Sequence, residues 1–135
     1  MDIQGTELGS LPSVRSAATV MREIVFNNRN MLSASLICSG WDPYEGYQIY
    51  SVNQTGFMKE SDYATGGSGS TYIQGYMDMN YNKSMSKAAC TEFLKNCISL
   101  ACYRDGSSGG CIRFVDISAD KVTRAFHDYS EFTYK

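Results

Sequence analysis

Ser68, Asp105 and Ser108 are the side chains whose types and settings best suit chemistry. Ser68 lies in the turn Ala64-Thr65-Gly66-Gly67-Ser68-Gly69-Ser70. The other two lie in Tyr103-Arg104-Asp105-Gly106-Ser107-Ser108-Gly109-Gly110. Each stretch adjoins a helical pattern, and glycine permits close approaches and backbone conformations that a Cβ would forbid. A network of hydroxyls and a carboxylate can orient a nucleophile and stabilise its proton acceptor. The same residues also stop and start helices, and from spacing alone both readings stand.

Other chemistries fit less well. A Gly/Ser turn opening a helix can cradle an anion, but residues 66–70 lack the P-loop lysine and the Gly-x-Gly-x-x-Gly spacing. A Ser-His-Asp triad would need His127, the only histidine, and no Gly-x-Ser-x-Gly elbow accompanies it. One histidine without clustered ligands supports no metal site, and no cofactor motif is present. The 14 carboxylates are scattered, so no pair for glycoside chemistry stands out. The cysteines at 38, 90, 97, 102 and 111 form no Cys-x-x-Cys pair and read as reduced, buried thiols. Sequons at Asn53 and Asn82 have meaning only on a secretory route, and the first residues carry no signal-peptide pattern.

Composition bounds the rest. The 135 residues suit one domain, and 43% hydrophobic with 19% charged residues allow a packed core. A net charge of −2 without charge blocks argues against an electrostatic nucleic-acid or membrane-surface binder. No apolar run reaches membrane-spanning length.

The positioning elements follow from periodicity. Residues 1–10 read as loop. Val14, Ala17, Ala18, Met21, Ile24 and Val25 form one stripe, predicting a helix from about Leu11 to Asn27. Leu32, Ala34, Leu36 and Cys38 then alternate as a strand, Gly40 to Gly46 reads as a turn, and Tyr47 to Val52 and Phe57 to Lys59 complete an antiparallel meander. A helix supported by Tyr72, Ile73, Tyr76 and Met77 ends near Tyr81-Asn82. Ser86 caps the next, whose apolar face carries Ala89, Cys90, Phe93, Leu94, Cys97, Ile98, Ala101 and Cys102. Cys111 to Ile117 has apolar residues on both faces, as in a sheet covered on both sides. Lys121 to His127 returns as its hairpin partner. The tail from Asp128 is aromatic and polar and suited to packing on a neighbour. Runs of strands and runs of helices give an α+β class, with helices outside a layered sheet core.

Three segments together resemble the beta subunits of the 20S proteasome. They are Gly40-Trp41-Asp42-Pro43 with Glu45-Gly46 and Gln48-Ile49-Tyr50-Ser51-Val52; Ala64 to Ile73 with Gly75-Tyr76-Met77-Asp78; and Arg104 to Gly110 with Ile112-Arg113. They favour the caspase-like class or its inducible counterpart, and the likeness runs over nearly all of residues 11–135. The resemblance implies a four-layer α-β-β-α sandwich of the N-terminal nucleophile hydrolases, as one domain over residues 1–135, incomplete at its N-terminus and lacking the first strands. It implies a threonine peptidase cleaving after acidic residues in ubiquitin-dependent protein degradation, with no cofactor. Its partners would be other alpha and beta subunits and unfolded polypeptides, with no nucleic acid or membrane, in cytoplasm and nucleus. Ser68, Asp105 and Ser108 match the supporting residues around the nucleophile, whereas the threonine, an early aspartate and a lysine have no counterpart in this sequence. The turn at Asn53 to Phe57 matches a segment facing a neighbouring subunit's cleft. The expectation is that these residues alone would fold poorly and cleave nothing. A non-catalytic beta subunit or truncated isoform, and an unrelated α+β binding domain, are the competing readings.

Overall fold

A computed structural model describes residues 10–135, which fall into two compact units. One reaches through Ala64 and includes Ile117–Lys121; the other comprises Thr65–Asp116 and Val122–Lys135. The loop expected over residues 1–10 falls, apart from residue 10, outside the described residues.

In the first unit helix α1 spans Val14–Asn27. It starts three residues later than the stripe suggests, because Ser13 is the cap: its Oγ accepts from the Ser16 N–H at 3.0 Å. At the other end the Asn28 N–H and Nδ2 both bond the Ile24 carbonyl. Val14, Ala18 and Val25 are buried, whereas Ile24 is 53% exposed and leaves the expected stripe.

Strands β1 (Leu36–Asp42), β2 (Gly46–Val52) and β3 (Met58–Glu60) form the expected antiparallel meander. Its limits correct the reading from periodicity. Leu36 pairs with Val52, where β2 ends, so residues 32–35 have no partner strand opposite them. Trp41 and Asp42 belong to β1, opposite Tyr47 and Gly46, which leaves a turn of only residues 43–45. Gly46 makes that turn possible with φ +75°. Val14, Ala18, Cys38 and Tyr50 form the core beneath the helix, with Ala17, Met21 and Met58 against it.

In the second unit α2 is Ser70–Asn80 and α3 is Lys87–Arg104. They pack through Ile73, Met77, Phe93 and Cys97, all buried, with the Tyr76 and Phe93 rings stacked at 6.0 Å. Ser86 caps α3 as expected, accepting from the Ala89 N–H. Phe93, Cys97 and Ala101 hold the predicted apolar face, but Ile98 is exposed and Ser99, absent from that face, is buried. Strands β4 (Cys111–Ile117) and β5 (Val122–Asp128) form a two-stranded sheet. Its expected double covering is not seen among the described residues: β4 buries Ile112 alone, and Val115 and Phe126 are exposed. Apolar residues on both faces record what a strand could bury, not what this segment supplies to cover it.

After a single 3-10 turn, Tyr129–Glu131, the tail packs on its own helix α3. Phe132 is buried, and the Ser99 hydroxyl both accepts from the Tyr134 N–H (2.7 Å) and donates to the Tyr134 carbonyl (3.2 Å). The fold is α+β, with sheets of three and two strands. No helix among the described residues is long and apolar enough to cross a membrane.

Candidate functional site

Helix α3 ends because Asp105 leaves the helical conformation, with φ −102° and ψ 110°, while its N–H still bonds the Ala101 carbonyl. Gly106 and Ser107 then turn the chain so that the Ser108 N–H reaches the Asp105 carbonyl at 3.0 Å. This tight reversal brings the Ser108 hydroxyl back over its own neighbour's carboxylate. The second turn arrives 37 residues earlier in sequence. Gly67, with φ +85°, bends it so that Ser68 stands just ahead of α2.

The three predicted residues meet at one atom. Ser68 Oγ and Ser108 Oγ each donate to Asp105 Oδ2 at 2.6 Å, and the Ser107 N–H donates to Oδ1 at 3.2 Å. Asp105 is 8% exposed, Ser108 is half-buried and Ser68 is exposed. The Ser108 hydroxyl, then the Ser68 hydroxyl and the Ser107 N–H, hold the Asp105 carboxyl below its ordinary range against the opposing effect of burial.

This arrangement fixes what the cluster can do. A carboxylate made less basic by three donors is a poor base for a serine hydroxyl, so neither serine is set up as a nucleophile. Both hydroxyl protons are committed to Asp105, and a hydroxyl that donates keeps its lone pairs. The cluster therefore presents acceptors backed by an ionised carboxylate. It suits an ammonium, a hydroxyl or a water that must give up or share a proton.

Groups considered elsewhere lie in other settings. His127 Nδ1 is 2.9 Å from Glu131 Oε2, an ion pair when the imidazole is protonated, at the start of the tail. That bond, and the Asp128 N–H on the other oxygen, hold the Glu131 carboxyl low. The five cysteines are free thiols, and burial raises Cys38, Cys102 and Cys97, the last to about 11. Among the described residues no group of three His, Cys, Asp or Glu side chains is placed to hold a metal ion.

One polar centre was not visible as such in the sequence. Asp42, 2% exposed at the end of β1, accepts from four donors. Val14 N–H at 2.9 Å and Gln48 Nε2 at 2.7 Å reach Oδ2, while Tyr44 N–H at 2.9 Å and Glu45 N–H at 2.8 Å reach Oδ1. These bonds, that from Glu45 foremost, lower its carboxyl from 3.8 to about 2. The Asp-Pro signal marked a turn. That its carboxylate also receives the first N–H of α1 follows only from the packing of helix on sheet.

Comparison with known proteins gives a consistent set. The sequence model described as proteasome subunit matches residues 5–117. Proteasome subunit beta type-6 of Dictyostelium discoideum is 40% identical over 124 residues, 92% of this chain and 58% of its own length. Probable proteasome subunit beta type-1 of Schizosaccharomyces pombe is 44% identical over 120 residues, 89% of this chain and 53% of its own. Proteasome subunit beta type-9 of Salmo salar is 45% identical over 117 residues, 87% of this chain and 54% of its own. The chain spans about half the length of the curated relatives it matches.

Proposed function

Because the chain belongs to the proteasome subunit family, we propose that it is a component of the beta ring of the 20S core, of the caspase-like class or its inducible counterpart. The similarity to beta types 6, 1 and 9 supports that placement. In this reading the residues belong to a single domain with the four-layer α-β-β-α sandwich of the N-terminal nucleophile hydrolases. The reaction, in a subunit that also carries the nucleophile these 135 residues do not supply, is peptide-bond hydrolysis after acidic residues, by attack of a threonine hydroxyl, release of the amine, and hydrolysis of the resulting ester by water.

Ser68, Asp105 and Ser108 are the supporting network of that reaction. The carrying observation is that Ser68 and Ser108 both place their protons on Asp105 Oδ2 at 2.6 Å. Their lone pairs can then accept from the group that takes the nucleophile's proton, and the ionised Asp105 stabilises the positive charge that builds there. None of the three attacks the substrate. The partners are other beta and alpha subunits and unfolded polypeptides; neither nucleic acid nor membrane is required, no cofactor enters, and the setting is cytoplasm and nucleus.

The test is assembly followed by activity. Tagged protein is sedimented from its own cells, and the fractions are assayed on a fluorogenic peptide with glutamate before the scissile bond. The reading expects the chain in large particles that cleave this peptide. Recovery only as a small species sinks it. Recovery in particles, with no glutamate-directed activity assignable to this subunit, favours a structural beta subunit that fills a position without cleaving.

A further inference from the structure

In the turn at residues 64–70, Gly69 is a glycine demanded by space rather than by backbone shape. Its φ of −75° and ψ of −12° suit any L residue, unlike the +85° of Gly67 two positions earlier. The conformation itself admits alanine, although as the N-cap of α2 Gly69 holds a position where glycine outranks alanine. Yet a Cβ on Gly69 would stand 3.1 Å from Ala101 Cβ, 3.1 Å from Ser108 Oγ and 3.6 Å from Asp105 Oδ2. Carbon contacts are comfortable only at about 3.5–4.0 Å. A Cβ on Gly67, Gly106, Gly109 or Gly110 would meet nothing within 4 Å.

The two neighbours at 3.1 Å respond differently. Ala101 Cβ is fixed to the backbone of α3 and cannot rotate away. Ser108 Oγ can rotate, but only by giving up its 2.6 Å bond to Asp105. Relief takes a few tenths of an ångström, and the groups nearest to give are the Ser68 turn, by moving outward, and Ser108, by turning off the carboxylate. We propose that Gly69, seated against the small Ala101, is a positioning residue that sets the distance between the two serine-bearing turns and so assembles Ser68, Asp105 and Ser108. Gly69 touches no reacting group; it acts through Ser68 and Ser108. The catalytic part of this inference rests on the peptidase reading above, and the geometric part does not.

The variants are Gly69→Ala, Gly69→Ala with Ala101→Gly, and Gly75→Ala. The last is a control within α2, where a Cβ meets nothing within 4 Å. The first readout is the Asp105 carboxyl titration by carbon NMR in the full chain. Gly69→Ala is expected to move its midpoint upward toward an ordinary carboxylate while leaving Asp42 unmoved. The second readout, in assembled particles, is hydrolysis of the glutamate peptide: kcat falls at least roughly ten-fold while KM stays within about two-fold. Adding Ala101→Gly returns both readouts part of the way, and Gly75→Ala changes neither. A Gly69→Ala protein with wild-type Asp105 titration and wild-type kcat overturns the proposal. Absence of peptidase activity in wild-type particles removes the function reading alone, and the titration still decides the positioning. Should Gly69→Ala fail to fold, Ala101→Ser fills the same gap from α3 and is held to the same two outcomes.

Discussion

Asp42 and Asp105 are two buried carboxylates, both held below the ordinary range, and they do opposite work. Asp42 is saturated by three backbone N–H groups and one side-chain amide. The three peptide nitrogens have no acceptor capacity to offer in return, and the Gln48 amide continues the chain only to the buried Tyr50, whose hydroxyl donates to its Oε1. What Asp42 joins is a helix start, a turn and a strand. Asp105 is held chiefly by two hydroxyls, one of them on the exposed Ser68. A hydroxyl that donates still accepts, so its charge is passed outward to whatever docks on the serines. A lowered carboxylate is thus no sign of chemistry by itself. The type of donor around it separates the fold-making group from the one proposed to support a reaction.

The sharpest way to break the contrast is to neutralise each carboxylate in turn. Asp42→Asn sets an NH2 against N–H donors at a buried position, and three elements lose their shared anchor. Its melting temperature should fall by on the order of 10 °C, read by thermal unfolding of the full chain. Asp105→Asn should cost less than half as much in melting temperature. In assembled particles in which the proposed peptidase activity is found, it should lower kcat on the glutamate peptide by roughly 100-fold or more. Equal destabilisation by the two, or an active Asp105→Asn particle, would erase the distinction.

The sequence made the two classes of residue unequally legible. Ser68, Asp105 and Ser108 stood out because glycine and serine on short turns beside helices are locally unusual. That Ser68 lies near Asp105 was implied by the resemblance, and that it bonds the carboxylate across 37 residues came from the packing of α2 on α3. Asp42 looked like punctuation, because Asp-Pro is a turn signal and nothing local announces a helix N-terminus above it. Ser99 was invisible for the converse reason: a polar residue inside a helix reads as solvent-facing until a tail is seen to cover it. The elements themselves followed from period and caps, as Ser86 and the α1 stripe illustrate. Their limits did not, since β1 begins where Val52 of β2 can pair with Leu36, a fact of register rather than of the alternation at Leu32 and Ala34.

Acid sharpens the comparison further. The folded Asp42 carboxyl lies at about 2 against an ordinary 3.8. The stability it contributes is therefore whole above 3.8 and is lost as pH falls from there toward 2. Asp105 shifts in the same direction and obeys the same sign. Across this window wild-type protein should lose stability more steeply than Asp42→Asn, measured by denaturant midpoints at stepped pH. The two curves should converge near the bottom of it. Parallel curves would mean that the Asp42 carboxylate is not held as its four donors require.

The smallest effect expected concerns Ser99, which resembles Asp42 in kind though it carries no charge. The residue is 1% exposed, and its hydroxyl both accepts from and donates to the backbone of Tyr134. Thr133 adds a bond to Asn96, and the Tyr103 and Tyr134 rings lie 6.4 Å apart. Ser99→Ala removes the partner of one N–H and one carbonyl, but at a tail that water can reach once it lifts. The loss should therefore be about 1 kcal/mol, the value of an ordinary hydrogen bond, rather than the larger cost of a trapped polar group. Amide exchange at Tyr134 should quicken while exchange in the middle of α3 stays as it was. Quickening throughout α3 would show that the tail is part of the helix's own stability. In that case Ser99 would belong beside Asp42 as a residue that makes the fold.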